Sequence, residues 1–94
     1  MANYTVVWDP DVESAFIEKW INGDFQFRAL LTEIANWVDK NLTENPELLG
    51  EVDPDQARYV AVPLSVTYTR ASVAYYVSSE DRVVRIIRLM IHGI

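Results

Sequence analysis

The hydrophobic period of this chain changes once, near Arg58, and that change decides the fold class. Before it, apolar residues recur every three or four positions, as on one face of a helix; after it they alternate, as on a half-buried strand. Val12, Ala15, Phe16 and Trp20 form one helical stripe, and Phe27, Leu30, Leu31, Ile34, Trp37, Val38 and Leu42 form a longer one. Beyond Arg58, Val60, Val62, Leu64, Val66 and Tyr68 mark one face of a long strand, with Pro63 as a bulge or edge position within it. Helical and strand patterns in separate stretches specify an α+β domain.

Local punctuation sets the boundaries. Tyr4 to Trp8 is a β-branched and aromatic run stopped by Asp9-Pro10, so it predicts a short first strand. Asp9 suits a helix cap and Pro10 the first helical position, with Asp11 and Glu13 placing negative charge at the helix N-terminus. This helix runs to about Ile21 and ends at Asn22-Gly23-Asp24; the second runs from about Gln26 to Leu42 and stops before Asn45-Pro46. Residues 43–57, with two prolines, a glycine and several acids, predict an exposed connection with Leu48 and Leu49 tucked inward. Arg70-Ala71-Ser72 is expected to turn the chain, Val73 to Val77 to form another strand, Ser78 to Asp81 a tight turn, and Arg82 to about Ile91 a last strand. The expected order is β-α-α-β-β-β, an antiparallel sheet packed against a two-helix hairpin.

Ninety-four residues support one domain spanning residues 1–94, and 50% apolar content supplies a core for it. The absence of cysteine removes disulfides, thiolate metal sites and cysteine nucleophiles. No segment reads as a signal peptide or a membrane span, so the expectation is a soluble, cytoplasmic protein. Charge is segregated. From Arg58 to Ile94 there are five arginines against Glu80 and Asp81, whereas the first 57 residues carry twelve acids against Lys19, Arg28 and Lys40. A cationic sheet backed by anionic helices presents one surface to a polyanion or acidic partner.

In the order of its motifs the chain resembles the RelE/ParE superfamily of toxins from bacterial type II toxin-antitoxin (plasmid stabilisation) systems. The likeness rests on Tyr4-Thr5-Val6-Val7-Trp8 followed by Asp9-Pro10 and an acidic helix, and on a long second helix ending in Asn45-Pro46-Glu47-Leu48-Leu49-Gly50. It rests further on Arg58 opening the next strand, on Val73-Ala74-Tyr75-Tyr76-Val77 followed by Asp81-Arg82-Val83-Val84-Arg85-Ile86-Ile87-Arg88-Leu89, and on His92-Gly93. The resemblance implies a compact α+β toxin neutralised by a small antitoxin protein. Some members of the superfamily cleave ribosome-bound mRNA and others poison DNA gyrase.

Metal-independent RNA cleavage needs a base, an acid and cations for the phosphorane-like transition state. His92 is the one side chain with an unperturbed pKa suited to proton transfer near neutrality. By simple alternation Arg82, Arg88 and His92 share a strand face, which makes them the catalytic candidates. Arg58, Arg70, Arg85, Tyr75 and Tyr76 are the candidates for gripping phosphate, stacking on bases or holding a partner. No metal ligand set and no cofactor motif is present, so neither is expected. For each of these residues a structural role stands beside the functional one: a solvated tail for His92, a wet strand face or ion pairing for the arginines, strand packing for the tyrosines. A net charge of −6 opposes docking on the polyanionic ribosome. Two classes of function therefore stand open. One is a toxin that cleaves or binds its target; the other is a non-catalytic protein-interaction module with a toxin-like fold, either a drifted relative or a regulatory partner that forms a homodimer.

Overall fold

The computed structural model describes residues 3–93. Its elements are β1 (Thr5–Trp8), α1 (Pro10–Asn22), α2 (Phe25–Glu44), β2 (Glu51–Val52), β3 (Arg58–Val62), β4 (Thr69–Ser78) and β5 (Val83–Gly93). The strands form one sheet in the order β1-β5-β4-β3-β2. The protein is α+β, and the sheet is mixed. β1 runs parallel to β5, and the other neighbours are antiparallel. The helical hairpin between β1 and the rest of the sheet is long enough to let the chain return in the parallel sense.

Both helix starts follow their caps. The Asp9 carboxylate accepts from the Asp11 amide at 3.3 Å with Pro10 in the first turn, and Asp24 accepts from Phe27 at 2.8 Å. Gly23 and Asp24 alone separate the helices, and a Cβ on Gly23 would lie 2.8 Å from the Lys19 carbonyl. The long stripe of α2 packs as the periodicity requires: Leu30, Leu31, Ile34, Val38 and Leu42 are buried. They meet Val62, Ala71, Val73, Tyr75, Val84 and Ile86 from one face of the sheet. Helix α1 contributes only partly buried side chains, Val12 and Phe16, with Phe16 tilted against Trp8 at 5.5 Å between ring centroids. Trp20, expected in the same stripe, is 38% exposed, and the Arg28 guanidinium lies over its ring instead.

Three expectations for the middle of the chain are corrected. The connection 43–57 contains β2, and within it Leu48 is 83% exposed while only Leu49 reaches the core. The long strand ends at Val62, because Pro63 lacks the N–H a continuing ladder needs. Residues 63–68 instead cross over α2, where the Ser65 amide and hydroxyl both donate to the Glu33 carboxylate. Arg70-Ala71-Ser72 is not a turn but the start of β4, a ten-residue strand.

Tyr75 ties this middle segment to the core. It is fully buried, and its hydroxyl is placed 2.8 Å from the Pro46 carbonyl and 3.0 Å from that of Leu49, so its one hydrogen serves the loop that follows α2. Tyr75→Phe removes the hydroxyl donor from both carbonyls, leaving that of Leu49 only the longer contact from Arg58, and should cost about 1–2 kcal/mol. In a domain of this size that lowers the melting temperature by roughly 4–12 °C, read by thermal unfolding under circular dichroism.

Candidate functional site

The last strand contains a phase conflict that strict alternation cannot resolve. Val84 and Ile86 would share a face with Arg88, and Leu89 and Ile91 would share the other with Arg85, so either face would bury an arginine. The structure resolves it with one extra residue. Tyr75 on β4 lies opposite Ile86 and Ala74 lies opposite Arg88, which leaves Ile87 unpaired as a β-bulge. After the bulge the faces are exchanged: Leu89 and Ile91 join Val84 and Ile86 against the core, and both Arg85 and Arg88 are exposed on the side away from it. Ile87 itself lines a cleft of about 200 Å³ with Val12, Ala15 and Phe16 of α1, where β1 has ended and the helix takes over the flank of β5.

The register then defines the surface opposite the core. Across it, Arg70 faces His92, Ser72 faces Met90, Tyr76 faces Arg85, and Tyr59, Ala74 and Arg88 form one row. Arg70, Arg85, Arg88, His92, Tyr59 and Tyr76 are all exposed. Ala74 is only 1% exposed although no helix covers this face, so the larger neighbours Tyr59 and Arg88 close over it. The Tyr59 hydroxyl is raised above its ordinary pKa of 10.0, first by its hydrogen bond to the Asp53 carboxylate and then by that charge, with nearby Arg88 opposing. Asp53 is held in turn by accepting from the amides of Asp55 and Ala57, each at 3.0 Å. Arg85 and Arg88 therefore lie beside Tyr76 and Tyr59 on one open sheet face, and the Arg70–His92 pair is on the same face toward the other end of β4 and β5.

Three of the sequence candidates are not on it. Tyr75 is buried in the core, as described. Arg58 opens β3 on the core side, opposite Tyr75, and donates to the Leu49 carbonyl at 3.4 Å. Arg82 is not in a strand at all: it sits in the β4–β5 turn with φ of 55°, and its guanidinium lies 5.0 Å from the centroid of the Tyr4 ring. The expectation that Arg82, Arg88 and His92 share one face fails for two reasons. The strand begins after Arg82, and the bulge breaks parity further on. His92 is opposite Arg70, so its nearest designed cation is a cross-strand neighbour rather than Arg88, roughly 13 Å along the strand. Conversely Tyr59 belongs to the surface. The alternation of Val60 and Val62 inward implies it, because the residue before Val60 must point the other way.

Arg58 and Arg82 serve a structural centre at Glu47. Its carboxylate accepts from the hydroxyls of Tyr4 and Ser79, which join β1, the loop after α2 and the β4–β5 turn. Those two hydrogen bonds, Ser79 first, hold the Glu47 pKa below its ordinary 4.5, and Arg58 and Arg82 add a smaller pull in the same direction. No protein-family model matches this chain, and no curated protein matches it. Among the described residues no cluster of His, Asp or Glu is arranged to hold a metal ion, and no helix is long and apolar enough to cross a membrane.

A depressed carboxylate contributes stability that is present above its unfolded pKa and is lost as pH falls through the folded one. Glu47 should therefore give wild type an acid-sensitive component below about pH 4.5. Glu47→Gln, which keeps the shape but not the charge, should melt lower than wild type at pH 7, and the gap should narrow by pH 3. Parallel melts of the two proteins across that range are the measurement.

Proposed function

We propose that this protein is the toxin component of a type II toxin-antitoxin system and that it arrests growth by binding, through its open sheet face, a target in translation or replication. The observation that carries the reading is that Arg70, Arg85, Arg88 and His92 share one exposed sheet surface with Tyr59 and Tyr76, in a protein whose net charge is −6. Cations on a rigid sheet beside exposed aromatic rings suit a ligand that offers phosphates or carboxylates together with flat groups. A small antitoxin would neutralise the protein by covering the same surface. Ribosome-bound mRNA and DNA gyrase are the two targets that the resemblance to RelE/ParE toxins brings forward.

Within this reading, binding is favoured over cleavage. A cleaving site needs a base, an acid and a charge-stabilising cation on the same phosphate; His92 has Arg70 across from it, but Arg85 and Arg88 lie further along the strand, and a net charge of −6 opposes a polyanionic substrate. The acidic remainder of the chain favours the second reading, an interaction module of the same fold with an acidic protein partner in place of nucleic acid.

Induced expression in a bacterium should stop growth, and the Arg85→Ala/Arg88→Ala double variant, whose changes are on the exposed face, should restore it. His92→Ala should keep the arrest if the action is binding. Growth unaffected by wild type overturns the toxin reading and leaves the interaction module. Arrest that survives the double arginine variant removes the sheet face from the mechanism.

A further inference from the structure

The acidic helical layer contains one stretch that is neither acidic nor covered. Ile17 is 50% exposed, Ile21 65% and Phe25 88%, and these cluster with Trp20 around the two-residue link between α1 and α2. Between Ile17 and Ala29 the charges are Glu18 and Asp24 against Lys19 and Arg28, which cancel. Two of those four are already engaged. Arg28 donates to the carbonyls of Trp20 at 2.7 Å and Ile21 at 3.1 Å, capping α1, and Asp24 caps α2. Phe25 also forms one wall of an open groove of about 470 Å³, whose other walls are Trp20, Arg28, Ala29 and Thr32.

A projecting aromatic ring next to a groove with apolar walls is the arrangement that a two-fold interface requires, because both copies must offer the knob and the hole from one patch. We infer that this face pairs with a second copy of the chain, each Phe25 seating in the groove of the other. Charge selects the occupant. Two copies of a chain with net charge −6 repel over most of their helical surface, and this neutral window is where they can approach; a strongly basic or acidic partner would find no complementary field there. The four apolar side chains supply on the order of 400 Å² per copy, which with a polar rim places the contact at the small end of specific interfaces. A contact of this size belongs with weak, reversible interfaces, so the pairing is expected to be concentration-dependent. It occupies the helical hairpin and leaves the cationic sheet face of each copy open.

Sedimentation velocity of the full chain from about 5 µM to about 1 mM should show a monomer–dimer equilibrium in that range. Phe25→Asp should raise the dissociation constant at least about tenfold, as loss of a central aromatic anchor does. Position 25 is the first of α2, where an acid suits the helix N-terminus, so the variant should keep its circular dichroism and melting temperature. Ile21→Asp, on the other side of the link, should act in the same direction. A monomer at every concentration overturns the inference, as does a dimer that Phe25→Asp leaves unchanged. Association that continues past two copies overturns it as well, since only a closed two-fold contact stops there.

Discussion

One unpaired residue, Ile87, reconciles the two things β5 has to do. The strand is interior to the sheet, with β4 along its length and β1 beside Val83–Ile86, and one of its faces packs into the core with the helices, so that face must be apolar throughout. Its sequence offers apolar pairs on both sides of the bulge, Val84 with Ile86 and Leu89 with Ile91, but they are out of phase by one position. Without the extra residue, a guanidinium would be carried into the packing layer under α2, at a desolvation cost that no partner there offsets. With it, the core is continuous and the arginines are expelled together to the other face. The charged surface is thus a by-product of satisfying the core.

The same economy explains why the arginines divide into two groups. Arg58 and Arg82 occur where the chain changes direction, and both lie near Glu47, which also collects Tyr4 and Ser79. Tyr75 reaches the same loop from below through the carbonyls of Pro46 and Leu49. Gly50, with φ of 73° and a Cβ position only 2.5 Å from the Tyr59 carbonyl, lets that loop lie flat against β3. These contacts fasten the edge of the sheet that carries Tyr59 and Asp53. The polarity of the chain, cations late and acids early, is consequently only partly a functional signal: some of the late cations hold the fold.

Much of this was legible in advance. The cap at Asp9, the stripe of α2, the inward Val60 and Val62, and the approximate order of helices and strands follow from short-range chemistry that each segment carries by itself. The site was less legible. Five of its candidates, Arg70, Arg85, Arg88, His92 and Tyr76, do share a surface, but Arg82 lies in a turn, Tyr75 in the core and Arg58 on the core side, and Tyr59 joins the surface only through its alternation with Val60. The spacing of two, three and two between positions 84, 86, 89 and 91 signals the bulge, yet Ile87 is apolar too and conceals the change of phase.

By itself, then, the sequence determined which stretches are helical, where the helices begin, that the second half is extended, and that cations and acids occupy different parts of the chain, because propensity, capping and hydrophobic period act over a few residues. Only the tertiary structure decided that β1 would lie parallel to β5, that residues 63–68 would leave the sheet to be held by Glu33, and which arginines would meet on one face. Those outcomes depend on register between strands far apart in the chain, and register is set by how the whole core packs, a constraint no local window contains.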